Sequence, residues 1–287
     1  MDRVYADRSW ETPDGLKLHY RDYEAPADRP PLLCLHGLTR NARDFEPLAA
    51  ELAGDWRLIV PELRGRGDSD YARDSASYNP QTYVEDIEAL LELLKIERFV
   101  AIGTSLGGLL TMMLAQRAPG RIAGAVLNDI GPAIEDEGLE RIRGYVGHGR
   151  SYPTWMHAAR AMREINAEAF PDYEIDQWIG MAKRCMVVGQ NGRISFDYDM
   201  AIAEPFNRPG GEAGVDLWPG FTALAGRPVT ILRGEFSDVL SEATVQEMLR
   251  RIPEARAVTV PRVGHPPVLD EDTAIGAIHA LLAEVAP

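Results

Sequence analysis

Short apolar runs of strand length, separated by stretches with helical periodicity, constrain the fold of this chain more than any other feature. The runs are Pro31 to Leu35, Leu58 to Val60, Phe99 to Ile102, Ile122 to Leu127, Val229 to Leu232 and Ala257 to Val260. Continuous apolar runs mark strands buried on both faces, and such strands belong to parallel sheets covered by helices. The helical spacing is carried by Phe45, Leu48 and Leu52, by Tyr83, Ile87, Leu90 and Leu94, and by Ile275, Ile278, Leu282 and Val285. Alternation of the two patterns predicts an α/β protein with a doubly wound, mostly parallel sheet. An N-terminal hairpin precedes it, since Pro13-Asp14-Gly15 is a turn signal and Leu16, Leu18 and Tyr20 alternate with polar residues beyond it.

The rhythm fails between Pro132 and Thr222. Three amphipathic segments follow one another there, carrying Leu139, Ile142 and Val146, then Trp155, Met162 and Ile165, then Trp178, Met181 and Cys185, with a turn at Asn191-Gly192. The expectation is a core of residues 1–132 and 223–287 with a helical lid, residues 133–222, inserted between two sheet strands and free of strands itself.

Chemistry enters at Gly103-Thr104-Ser105-Leu106-Gly107, which follows one apolar run and precedes the helical stretch Leu109 to Gln116. This is G-x-S-x-G in a strand–turn–helix setting. The sharp turn projects the serine hydroxyl clear of the sheet and leaves no room for side chains at Gly103 and Gly107. Gly108 allows the following helix to approach closely. A serine among small residues is more often a helix cap, so the motif needs its context. One piece of context is Leu35-His36-Gly37-Leu38, at the end of the first buried strand. The backbone N–H of Leu38, beside Gly37, could join that of Leu106 as an oxyanion hole. His36 is read as a loop-shaping group with no proton-transfer role.

The base is expected on the loop after the last strand, where His265 stands in Val263-Gly264-His265-Pro266-Pro267. Packing or exposed roles are the default for the other histidines, His19 among them. A carboxylate must hold the imidazole tautomer. Asp238, beyond the strand Val229 to Leu232, is the expected acid because it completes the chain order Ser, Asp, His. Asp129, after the preceding strand, is its competitor and is otherwise expected to tie down the lid entrance; Glu235 is a weaker candidate.

These residues resemble the α/β-hydrolase superfamily, in the lid-bearing branch of esterases, lactonases, C–C bond hydrolases and haloalkane dehalogenases. The similarity runs through His36-Gly37, the segment Glu62 to Ser69, the serine elbow, Gly234 to Asp238 and Gly264-His265. It implies an eight-stranded sheet, loop-fixing roles for Arg64 and Arg66, and a Ser-His-Asp serine hydrolase that needs no metal or cofactor. Ser105 stands where dehalogenases and epoxide hydrolases of this fold carry aspartate. Pro266 stands where the ring-cleaving C–C hydrolases usually carry an aromatic residue.

The expected activity is hydrolysis of a carboxylic ester or lactone of a small molecule through an acyl-enzyme on Ser105. C–C bond hydrolysis, lyase, acyltransferase or perhydrolase use of the same triad, and a ligand receptor with slow turnover, are the alternatives. Trp155, Trp178, Met156, Met181 and Phe206 are candidates for the pocket wall, although each alone is more often packing. Arg141, Arg143, Arg160 and Arg163 read as a solvated face. With 30 Lys and Arg against 44 Asp and Glu, the net charge of -14 disfavours nucleic acid and anionic membranes as partners. No basic segment leads into an apolar run at the N-terminus, and Cys34 and Cys185 lack metal-ligand spacing, so a cytoplasmic monomer or homodimer with two buried thiols is expected.

Overall fold

The computed structural model describes residues 5–207 and 216–285. Residues 1–4, the start of the expected leaderless N-terminus, and 208–215, within the expected lid, lie outside the described residues. In chain order the strands are β1 (Ala6–Glu11), β2 (Lys17–Tyr23), β3 (Leu32–Leu35), β4 (Leu58–Pro61), β5 (Phe99–Thr104), β6 (Ile122–Asn128), β7 (Ser151–Tyr152), β8 (Met186–Val188), β9 (Ile194–Phe196), β10 (Val229–Gly234) and β11 (Arg256–Val260). The α-helices are α1 (Glu46–Leu52), α2 (Pro80–Leu93), α3 (Leu106–Arg117), α4 (Asp136–Arg143), α5 (Trp155–Asn166), α6 (Ile175–Cys185), α7 (Ala203–Phe206), α8 (Trp218–Thr222), α9 (Glu242–Arg251) and α10 (Asp272–Val285).

Eight strands form one sheet in the order β1-β2-β4-β3-β5-β6-β10-β11. The β1–β2 and β2–β4 pairs are antiparallel, and the pairs from β4 to β11 are parallel, as the apolar runs predict. Side chains alternate between the two faces of a strand, and the core divides accordingly. Leu33, Leu35, Ile59 and Ala101 pack toward α2 and α3, whereas Leu32, Cys34, Leu58, Val60, Val100 and Ile102 pack toward α1 and α10. Both faces are thereby buried, which is why the runs are continuous. Among the described residues no helix is long and apolar enough to cross a membrane.

The segment between β6 and β10 holds α4 to α8, and the three expected amphipathic segments fall on α4, α5 and α6. It also holds a small antiparallel sheet, β7-β9-β8, which corrects the expectation of a strand-free insertion. These strands have two or three residues each, too few to display a period. Gly192, at φ 73°, supplies the turn between β8 and β9. Asn41 Nδ2 donates to the carbonyl of Arg184, and Arg43 pairs with Asp197 at 2.6 Å, so the loop after β3 fastens the insertion over the sheet.

Candidate active site

Parallel strands bring their C-terminal ends to one edge, where ligands of open α/β sheets bind. Leu35 of β3 lies opposite Gly103 of β5, Gly103 opposite Leu127 of β6, and Asn128 opposite Leu232 of β10. The loops carrying Leu38, Ser105, Asp129 and His265 all leave from this edge.

Ser105 sits between β5 and α3 at φ 52° and ψ -114°, in a region disfavoured for side-chain-bearing residues. The turn is held by close backbone packing that only glycine permits. A Cβ on Gly103 would lie 2.4 Å from the carbonyl carbon of Gly107, and one on Gly107 would lie 2.0 Å from the carbonyl oxygen of Leu35. Leu106 is the first residue of α3, so its N–H has no acceptor within the helix and is directed toward the serine side. Gly37 packs against Ser105 and Leu38 lines the same cavity as Ser105, which brings the two expected oxyanion donors to one place.

Ser105 Oγ lies 2.9 Å from Nε2 of His265, and Nδ1 of His265 lies 2.7 Å from Oδ2 of Asp129. The acid beside the imidazole is therefore Asp129, which corrects the expectation of Asp238. Asp129 is fully buried at φ 56°. Besides His265, its carboxylate accepts the Gly234 N–H at 2.8 Å and the Ser237 hydroxyl at 2.7 Å. Asp238 instead forms a two-pronged ion pair with Arg141 of α4, one contact being 2.8 Å. Burial raises the Asp238 pKa, but Arg141 outweighs it and holds the carboxyl below its usual range. Its backbone carbonyl also accepts the Gly138 N–H, so the residue anchors the start of the insertion, the task expected of Asp129. Arg141 is consequently not part of a solvated face.

His36 is fully buried; its Nε2 accepts the Leu63 N–H, which leaves Nδ1 to donate to the Gly37 carbonyl. Burial pushes its pKa down to about 4, so it is a neutral spacer that shapes the Gly37–Leu38 loop. Arg66 donates to the Leu38 carbonyl at 2.9 Å, and Arg64 pairs with Asp86 and Asp14. The arginines of the Glu62 to Ser69 segment thus fix loops, in line with the family resemblance. His19, Glu62 and Asp68 approach one another closely enough for a metal. However, both His19 nitrogens meet carboxylates of Glu62 and Asp7, and Glu62 also accepts the Ala42 and Asp68 N–H groups, which accounts for the cluster as a loop clamp.

Of the expected wall residues, Phe206 lines the cavity at Ser105 and Met181 lines a second one at His265. Trp178 is buried against Phe170 and Tyr173, and Met156 is exposed. Trp155 packs at the edge of the core. Sequence reasoning missed Asn128, whose side-chain amide bridges Thr104 Oγ1 and the Pro267 carbonyl and so ties the serine strand to the histidine loop. It also missed Ser237 and Arg40, polar residues whose role depends on contacts distant in the chain. Both cysteines are free and buried, as expected.

A family model described as the alpha/beta hydrolase fold matches residues 30–272. A 3-hydroxybutyrate-oligomer hydrolase of Cupriavidus necator is 36% identical over 264 residues, covering 89% of either chain. A 2-(acetamidomethylene)succinate hydrolase of Mesorhizobium japonicum is 27% identical, over 82% of this chain and 81% of that one. The crystal structure of an alpha/beta hydrolase from Novosphingobium aromaticivorans is 60% identical and superposes with a TM-score of 0.96, covering 99% of this chain and all of the other.

Proposed function

Because the chain belongs to the α/β-hydrolase family, we propose that it is a serine hydrolase that cleaves carboxylic esters of small molecules through an acyl-enzyme on Ser105. The observation that carries this reading is the continuous relay from Ser105 Oγ through His265 to buried Asp129, at 2.9 and 2.7 Å. His265 Nε2 takes the Ser105 proton as Oγ attacks the ester carbonyl, and Asp129 holds Nδ1 protonated and balances the imidazolium. The oxyanion develops toward the N–H groups of Leu38 and Leu106, where one well-placed donor is worth about 3 kcal/mol. Water then cleaves the acyl-enzyme with His265 again as base. The insertion, residues 133–222 of the proposed division, covers the serine and contributes Ile134, Leu139, Ile142 and Phe206 to its apolar wall.

The substrate named for the Cupriavidus relative supports short oligoesters of hydroxy acids as the first substrates to test, ahead of lactones. The test is fluorophosphonate labelling of wild type, Ser105→Ala and His265→Ala, followed by turnover of aryl esters, lactones and hydroxy-acid oligoesters with product analysis. Labelling and turnover should vanish in Ser105→Ala, and His265→Ala should lose on the order of 10⁴-fold or more in kcat. Undiminished labelling of Ser105→Ala would overturn the assignment.

A further inference from the structure

Ser105 opens onto two cavities of contrasting character. One is walled by Leu106, Leu109, Ile130, Leu139 and Val239, and His265 is not among its lining residues. The other runs past His265 and includes Arg40, Tyr145 and Asn166. It shares Arg40, Asn166, His265 and Pro266 with an adjoining cavity that adds Asp44 and Arg184.

A leaving alcohol departs where the imidazolium can protonate it. The His265 side is therefore the alcohol side, and the apolar cavity is the acyl side. The charges on the alcohol side are unbalanced in a definite direction. Arg40 and Arg184 face a single lining carboxylate, Asp44, in a chain whose net charge is -14. Asp44 occupies Nε and one terminal nitrogen of Arg40 at 2.6 and 2.5 Å, and the other terminal nitrogen reaches Cys185 Sγ. A guanidinium carries five N–H groups in a fixed fork, so two remain after these contacts. The pair with Asp44 also holds the fork in place, and a pre-oriented cation loses less freedom when an anion binds. Glu271, on the same loop as Pro267, directs its carboxylate to the N–H groups of Val268 and Leu269 instead of to the arginines.

We propose that the alcohol-side cavity binds a carboxylate through Arg40 and Arg184, so that the preferred substrates are esters in which the leaving alcohol is itself a hydroxy acid with a free carboxylate. The proposal rests on the Ser105 acyl-enzyme reading and adds polarity to it: cleavage occurs next to the carboxylate end. Ser105 Oγ bonds to the acyl carbon, the bond from that carbon to the alcohol oxygen breaks, and His265 passes the proton taken from Ser105 to the departing oxygen. One water then gives its hydroxyl to the acyl carbon, the bond from that carbon to Ser105 Oγ breaks, and the water's proton passes by way of His265 to the released Oγ. A free acid and a free hydroxy acid leave.

The experiment compares the butanoyl ester of 3-hydroxypropanoate with the same compound methylated at its carboxylate, each rate normalised to its hydroxide-catalysed hydrolysis. One charge-assisted contact corresponds to about 10- to 100-fold. The wild-type kcat/KM ratio of acid to methyl ester is expected to be at least about tenfold and to shrink with added salt. In Arg40→Gln and in Arg184→Gln the ratio is expected to fall toward one. Arg184→Gln serves as the second variant because Arg184 ties the insertion to Asn41 and Arg43 through its backbone carbonyl, which the substitution leaves in place. A wild-type ratio of one or less, or a ratio untouched in both variants, would overturn the proposal. If Ser105 is labelled and both esters turn over at equal normalised rates, carboxylate recognition fails alone. If neither ester turns over and Ser105 stays unlabelled, the acyl-enzyme reading fails and takes the inference with it.

Discussion

Replacing Asp129 by Asn exchanges one carboxylate oxygen for an NH₂ group and should nearly abolish activity, for a reason visible in its three partners. Oδ1 of Asp129 accepts the Gly234 N–H, while Oδ2 accepts from Ser237 and faces His265 Nδ1. In the amide, the oxygen must remain opposite the Gly234 N–H, because an NH₂ there would confront another donor. The NH₂ then faces Nδ1 of His265 and forces that nitrogen to accept. The ring proton moves to Nε2, where it can no longer receive the proton of Ser105. A tautomer inversion of this kind costs about 10⁴-fold in kcat in a serine protease triad, which at about 1.36 kcal/mol per decade is roughly 5.4 kcal/mol of transition-state stabilisation. Asp238→Asn instead loosens a partly buried ion pair, with side chains 27% and 21% exposed, that anchors the insertion and not the imidazole. Its kcat/KM is expected to stay within about tenfold of wild type. The assay is kcat/KM on an aryl butyrate for both variants, with circular dichroism melting to establish that each is folded. Equal losses in two folded variants, or a greater loss in Asp238→Asn, would refute the reasoning.

Gly107→Ala puts a methyl group 2.0 Å from the Leu35 carbonyl oxygen, a backbone atom with little freedom to retreat. A loss of at least about 3 kcal/mol is expected, lowering Tm by roughly 6–12 °C; a melt within about 2 °C of wild type would show that the elbow is looser than described. Burial holds the His36 pKa down to about 4, against about 6.5 in an unfolded chain. The unfolded state therefore binds the extra proton between those values, so this contribution is whole above pH 6.5 and is lost progressively toward pH 4, by about 3 kcal/mol in all. Urea midpoints across that window should fall less steeply for His36→Gln than for wild type, and parallel slopes would count against a buried neutral ring.

The parallel sheet was legible because both faces of β3, β5, β6 and β10 are covered, and double burial writes itself into sequence as unbroken apolar runs. Ser105 and His265 were legible because a nucleophile turn and a terminal histidine loop need local residue types, glycine and proline, that can be seen without knowing the fold. What could not be read depends on contacts across the chain. Strands as short as Ser151–Tyr152 carry no period. His19, expected to be ordinary packing or surface, is held between two carboxylates that arrive from positions 7 and 62. Trp178 and Phe206 have similar apolar character, yet one is buried against other rings and the other faces a cavity, because orientation is set by neighbours and not by hydropathy.

The acid is the sharpest case, since chain order could not decide it. Ser105, Asp129, His265 and Ser105, Asp238, His265 are both Ser, Asp, His sequences, and β6 and β10 lie side by side with Asn128 opposite Leu232. Two differences separate the candidates. Asp129 follows its strand immediately and takes a left-handed turn at φ 56°. That turn directs its carboxylate to the N–H of Gly234 and the ring of His265. Asp238 comes four residues after β10 ends, on a loop that also packs the first insertion helix, and there it meets a full cation in Arg141. A carboxylate already neutralised by a guanidinium stabilises a nascent imidazolium poorly, because the two cations compete for one charge. The sequence contained both halves of that competition, Arg141 in the insertion and Asp238 in the core. Nothing short of the folded chain, with α4 laid against the loop that carries Asp238 and Val239, could reveal that they meet.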